Sequence, residues 1–246
     1  MGTEPTRPSQ SFAAWCDYAR RIGIEHAGEL AVLIDELADT DPLAAQLLRL
    51  RAFTLGDRQR LGAPAHPLVP TLPVAIFAGA AASMSVGAGA ELESLLRRGL
   101  RGFAGTVISG GTAVGVPGVV GRVSRELGLT AIGYVPEGHG DAALYSELRH
   151  TPGATDFSIR EPLAMWTDIL GAGIAVEAAR VVVCPGGEIT IQELLLARAL
   201  GAPVAWLDPA GDSEAPLHDL LPGGDEGVLA LPARAGTVRA FLDRVA

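Results

Sequence analysis

Cysteine is nearly missing from this chain. Cys16 and Cys184 are the only two in 246 residues. They supply neither a disulfide framework nor the spacing of a zinc site, and the pattern suits a reducing compartment, so a cytoplasmic protein is expected. Aromatic residues are scarce too, at 5%, which leaves little material for the stacking platforms that hold single-stranded nucleic acid. Basic charge is in deficit: 19 Lys+Arg against 28 Asp+Glu leave a formal charge of −9. Nucleic-acid binders neutralise phosphates with cations, so nucleic acid is not expected as a partner. A small anionic ligand stays open, because backbone N–H groups hold phosphate without any basic side chain. No apolar run reaches the roughly 18 residues of a membrane span, and the first residues lack the basic-then-apolar pattern of a signal peptide. No membrane partner is expected.

What the chain does have is apolar residues, 48% of the total, and 31 glycines. That content suits a compact α/β domain rich in tight turns. Residues 1–10 read as a loose polar tail and 11–60 as helices: Leu30, Leu33 and Leu37 fall at helical spacing, and Asp41-Pro42 is a helix start. Residues 1–62 are therefore taken as a helical N-terminal segment, and the proline-rich 63–73 as a linker. From 74 to 246 the pattern alternates strand, turn and helix. Strands are expected at 73–79, 106–111, 130–138, 180–187 and 203–208, with "GVLALP" (227–232) as a last strand. Helices are expected at 90–103, 115–127, 161–178, 190–200 and 235–245, and the stretch 139–160 reads as polar loop. Apolar, non-alternating strands separated by helices mean a Rossmann-like parallel sheet covered by helices on both faces, with ligands bound at the carboxyl ends of its strands.

The glycine clusters all fall at such ends. The first strand runs into Gly79, Ala80 and Ser83, small residues that let a ligand approach the backbone. The second runs into Ser109, Gly110, Gly111, Thr112 and Gly115, a turn that opens onto a helix and makes the best phosphate cradle. The third ends at Glu137 and Gly138, with His139 beside them, and the fourth at Pro185, Gly186, Gly187, Glu188, Ile189 and Thr190. Neither a P-loop nor the G-x-G-x-x-G fingerprint is present, and no G-x-S-x-G elbow announces a hydrolase triad. At the fourth end two explanations compete. Thr190-Ile191-Gln192-Glu193 spells a capping box, with Ile189 and Leu194 placed as a hydrophobic staple. That accounts for the helix start but not for Pro185-Gly186-Gly187, where a pair of glycines suggests that something comes close.

Pro185-Gly186-Gly187 with Thr190 and Glu193 resembles the P-G-G-x-G-T-x-x-E motif of the cytokinin-activating phosphoribohydrolases, once labelled lysine decarboxylases. Ser109-Gly110-Gly111-Thr112 and Gly115 resemble the second-strand glycine motif of the wider SLOG superfamily of Rossmann-like nucleotide-binding domains. The stretch 95–123, followed by "TAIGYVPEG", is similar to the SLOG domain of melastatin-type TRP channels and its prokaryotic relatives. The resemblance covers residues 73–208. It implies a nucleotide or NAD-derived ligand such as ADP-ribose, no further cofactor and no metal, and a homodimer. It also implies that Glu193, with Glu188 as a weaker candidate, would stabilise an oxocarbenium-like ribose or activate water if an N-glycosidic bond were cleaved. Two departures place a binding or sensor domain ahead of a nucleoside-monophosphate phosphoribohydrolase. Ile189 stands where the hydrolases have glycine, and their arginine has only Arg160, too far upstream, or Arg180, at the wrong end of its strand, as counterparts.

Overall fold

The computed structural model describes residues 11–58, 61, 72–80, 84–209, 211, 217–221 and 224–243. Ser83 and nearly all of the proline-rich segment 63–73 lie outside them. Three helices come first: α1 (Phe12–Arg21), α2 (Ala27–Leu37) and α3 (Pro42–Thr54). The start of α3 follows from its spelling, since the Asp41 carboxylate accepts the Ala44 N–H at 3.1 Å and Pro42 occupies a position whose N–H would have no acceptor. A sheet then alternates with helices: β1 (Val74–Ala78), α4 (Val86–Gly99), β2 (Thr106–Ser109), α5 (Gly115–Leu127), β3 (Ala131–Pro136), β4 (Glu147–Thr151), α6 (Arg160–Gly171), β5 (Ala179–Val183), α7 (Glu188–Leu200), β6 (Val204–Trp206), the short α8 (Leu217–Leu220), β7 (Val228–Ala230) and α9 (Ala235–Leu242). The seven strands form one sheet in the order β4-β3-β2-β1-β5-β6-β7, and every pairing is parallel.

The period of two along each strand sorts the core into two layers. Ala75, Phe77, Val107 and Val182 face the layer that holds Leu92, Val119 and Val238, from α4, α5 and α9. Val74, Ile76, Ile108 and Val181 face the layer with Trp166 and Leu194, from α6 and α7. On that second side α1 packs on α7, α3 packs on both α6 and α7, and α2 packs on α3. Trp15, Leu47 and Leu50 thereby belong to the same apolar cluster as the sheet. Among the described residues no helix is long and apolar enough to cross a membrane.

Several elements are shorter than expected at their ends, and four differences bear on the site or the sheet. Helix α4 starts at Val86 rather than 90, because the Ser85 hydroxyl accepts the Ala88 N–H and opens the helix earlier. The stretch taken as polar loop contains β4, an edge strand whose exposed positions tolerate polar residues and hide the strand pattern. The helix expected over 161–178 ends at Gly171, and residues 176–178 form a separate 3₁₀ turn before β5. Most consequential, α7 begins at Glu188 with Gly187 as its N-cap. Thr190 is therefore inside the first turn, and the expected capping box with Glu193 is not formed.

The chain steps outward from β1 through β2, β3 and β4, then returns to β5 on the other side of β1. The strand order reverses there, so the carboxyl ends of β1 and β5 flank the crevice in which doubly wound sheets bind ligands.

Candidate functional site

A cavity of about 540 Å³ opens at this switch point. Its floor comes from the ends of the central strands: Phe77, Ala78, Gly79 and Ala80 after β1, and Ser109 and Gly110 after β2. Gly79 is required by packing, because a Cβ there would lie 2.5 Å from the Val116 side chain in the first turn of α5. Ser109 is turned inward and donates to the Phe77 carbonyl at 2.7 Å, tying β2 to β1.

One wall is the start of α7. Gly187, Glu188, Ile189, Thr190 and Glu193 line the cavity. The cap residue Gly187 offers no side chain to the first-turn N–H groups, which have no acceptor within the helix. The two glycines of the junction turn out to have different reasons. A Cβ on Gly186 would lie 2.2 Å from the Thr190 hydroxyl and 2.9 Å from the Ala80 nitrogen, so protein packing forbids a side chain. A Cβ on Gly187 would meet nothing within 4 Å, and its φ of −82° suits any residue. No packing contact requires Gly187, which serves as the cap and is the one of the two that lines the cavity. The second wall, near α5, carries Thr112 and Pro117. Its cap residue Val114 likewise gives no side-chain cap. At the start of α7 the N–H groups are uncommitted, a ready site for negative charge, whereas at the start of α5 the Val116 N–H donates to the Ala80 carbonyl at 3.0 Å and Pro117 has no N–H to offer.

The remaining sequence candidates sit nearby without lining the cavity. Gly111, at φ 68°, and Gly115, at φ 62°, shape the turn into α5. A Cβ on Gly111 would strike Val135 at 2.5 Å. Pro185 and Gly186 lie behind the first turn of α7, with the Pro185 carbonyl accepting weakly from Ala80 at 3.4 Å. Glu137 and Gly138 brace the loop before α6: the Glu137 N–H donates to the Ala154 carbonyl at 2.8 Å, and its carboxylate accepts the Gly153 N–H at 3.1 Å. His139 lies edge-on to Phe157, with ring centroids 5.6 Å apart.

Sequence reasoning missed the third wall. Phe157, Ser158, Glu161, Pro162 and Met165 line the cavity from the start of α6, and Tyr134 joins them from β3. The signal was present, because Ser158-Ile159-Arg160-Glu161 is the capping box that Thr190–Glu193 is not. The Ser158 hydroxyl accepts the Arg160 N–H at 3.2 Å, and Glu161 Oε2 accepts the Ser158 N–H at 2.8 Å. A buried cluster holds this helix against the sheet. Tyr134 donates its hydroxyl to Asp168 Oδ2 at 2.8 Å, and Arg149 of the edge strand reaches the same oxygen at 2.8 Å.

Solved structures share this fold. The Moco carrier protein of Chlamydomonas reinhardtii matches at a TM-score of 0.52 and 16% identity, over 69% of this chain and 94% of that one. TM1055, a structural-genomics target, matches at 0.52 and 21% identity, over 71% of this chain and 100% of that one. DNA processing protein A of Streptococcus pneumoniae matches at 0.50 and 12% identity, over 94% and 97%. At such identities the likeness establishes the Rossmann-like fold. No protein-family model and no curated protein matches the chain.

The chemistry of the cavity is that of carboxyl groups and backbone amides. Glu193 is half-buried, and among the described residues nothing hydrogen-bonds its carboxyl; loss of water around it pushes its pKa up from 4.5 to about 7. A carboxyl poised there can give or take a proton near neutrality. Glu188 is instead bonded to Gln192 at 3.1 Å. The chain contains no lysine, so a cation could come only from arginine. Arg160 points to the Gly153 carbonyl, Arg180 is buried at the opposite end of β5 beside the Glu177 carbonyl, and Arg149 is committed to Asp168. None of them lines the cavity. Cys184 follows β5, and burial pushes its thiol up to about 12, which keeps it protonated near neutrality. Among the described residues no group of His, Cys, Asp and Glu could hold a metal ion.

Proposed function

We propose that this protein is a SLOG-type domain that binds a nucleotide or an NAD-derived molecule, such as ADP-ribose, and acts as a sensor or ligand-binding module. The observation that carries the reading is a cavity at the switch point walled by the start of α7, a helix whose first-turn N–H groups have no side-chain cap. The anionic end of the ligand would lie against those N–H groups, with Gly110, Thr112 and Gly187 allowing close approach. The Moco carrier protein, which shares the fold, is by its name a small-molecule carrier, and that agrees with a binding role. Two buried free cysteines and the acidic charge support a cytoplasmic protein that does not bind nucleic acid. By the SLOG resemblance the domain pairs with a second copy. Exposed Ile24 and Val32 on the helical N-terminal segment offer apolar surface for it.

A second reading is hydrolysis of the N-glycosidic bond of a nucleoside monophosphate. Glu193, inside the cavity with its raised pKa, favours it. The lack of an arginine in the lining weighs against it. Proton NMR of the protein with AMP, NAD, ADP-ribose and cyclic ADP-ribose separates the two. Saturation transfer to a ligand that persists supports the binding module. Free base accumulating with ribose 5-phosphate, and lost in Glu193→Ala, establishes the hydrolase. No transfer to any of the four at millimolar concentration sinks the nucleotide reading.

A further inference from the structure

Glu161 is only 3% exposed, yet it lines the cavity. Its two oxygens have different fates. Oε2 accepts the Ser158 N–H at 2.8 Å and faces the Ser158 hydroxyl at 3.3 Å. Oε1 is buried and has no hydrogen-bond partner. A helix cap needs one acceptor oxygen, so the cap accounts for Oε2 alone. A buried carboxylate oxygen left without a donor is costly and calls for an explanation. Among the described residues no arginine lines the cavity to neutralise it, and Glu193 on the α7 wall is a second carboxyl to which none of them is hydrogen-bonded.

We infer that Glu161 selects the ligand, Oε1 accepting an N–H from an exocyclic amino group, so that the bound nucleobase carries the amino-substituted edge shared by adenine and cytosine. This rests on the nucleotide reading and narrows it. The phosphate end is held by backbone N–H groups at the start of α7, which are donors. The wall from α6 instead presents Glu161 Oε1, an acceptor. A carbonyl in place of the amino group sets oxygen against oxygen in a desolvated pocket and is rejected.

The geometry also dictates what an amide does at this position. In Glu161→Gln the Ser158 N–H retains an oxygen opposite it, so the amide NH₂ takes the place of Oε1. An acceptor becomes a donor, and the preference inverts. The experiment measures affinity by titration calorimetry for two pairs, AMP with IMP and CMP with UMP, on the full-length wild type and on E161Q. The wild type is expected to favour the amino member of at least one pair by about tenfold or more. The pair that discriminates tells purine from pyrimidine. E161Q is expected to favour the oxo member. Equal wild-type affinity within both pairs, or an E161Q that weakens all four ligands alike, overturns the role of Glu161 and leaves the nucleotide reading standing. No binding of any of the four to the wild type overturns the role of Glu161, and the nucleotide reading falls with it only when NAD and ADP-ribose fail to bind as well. Equal wild-type affinities overturn the proposal even if the variant fails to fold.

Discussion

Glu193 stands in the cavity with no hydrogen-bond partner among the described residues, and that has a consequence for stability. Its carboxyl ionises near 4.5 in the unfolded chain and at about 7 in the folded one. As the pH rises through this interval the unfolded chain loses its proton first, so the contribution of the protonated carboxyl to stability is complete below about 4.5 and gone above about 7. Allowing for its partial access to solvent, the loss is on the order of 2 kcal/mol. Glu193→Gln keeps the shape and removes the charge. Its Tm should match the wild type at pH 4 and exceed it at pH 8, measured by thermal denaturation across that range. Equal Tm differences at both ends would mean that the carboxyl is already well solvated. The glycine pair beside it separates packing from recognition. Gly186→Ala should cost about 1–3 kcal/mol by denaturant titration, because the Thr190 hydroxyl and the Ala80 backbone leave no room for a Cβ. Gly187→Ala should leave stability within about 0.5 kcal/mol, since open space surrounds it. Its effect should appear in ligand affinity instead.

At the scale of elements, the cavity depends on how α6 is held. Asp168 on that helix receives both the Tyr134 hydroxyl from β3 and the Arg149 guanidinium from β4. All three are buried. Asp168→Ala takes the buried carboxylate away from Arg149 and leaves the charge with the half-exposed Glu147, at 2.9 Å, as an ion-pair partner. A loss of about 3 kcal/mol is expected, because an uncompensated buried charge is worse than none. Ligand affinity should fall with it, since Glu161 and Met165 ride on the same helix. A full loss of stability without any change in affinity would show that the wall stands without this anchor. The same cluster explains why the edge strand escaped detection. "ELRHT" has no apolar alternation because its buried positions are filled by Arg149 and Thr151, and an arginine reads as surface until its carboxylate partner from another element is known.

For the whole molecule, the question is what the N-terminal helices do. They cover α6 and α7, with Trp15, Leu47 and Leu50 in the cluster that also holds Trp166 and Leu195, and Gln46 donates to Thr167 at 3.3 Å. Each such apolar side chain contributes roughly 1.5–3 kcal/mol by leaving water. A chain lacking residues 1–58 should therefore aggregate or show no cooperative transition in calorimetry. A sharp transition from that truncated chain would make the helices a separable attachment. The covered helices are also the ones whose first turns wall the cavity, so the packing behind α6 and α7 fixes how the site is shaped in front.

The sequence alone determined the Rossmann-like class, because the apolar runs and the intervening helix patterns are local in the chain. Glycines at strand ends also located much of the site, since a turn that must bend sharply or let another group approach shows in residue type. Ser109, Gly110, Thr112 and Gly187 were legible for this reason and Glu193 through the family resemblance, and the structure gathers the five around one cavity. Only the tertiary structure decided the rest. It showed that the capping box belongs to Ser158 and Glu161, because a cap is settled by which N–H groups lack an acceptor and not by spelling. It showed that Gly186 serves packing while Gly187 faces open space. It brought Glu161, 32 residues upstream, into the cavity lined by Glu193, because the crossover from β4 to β5 carries α6 back over the switch point. That juxtaposition depends on the order of the strands, which no local pattern in the chain records.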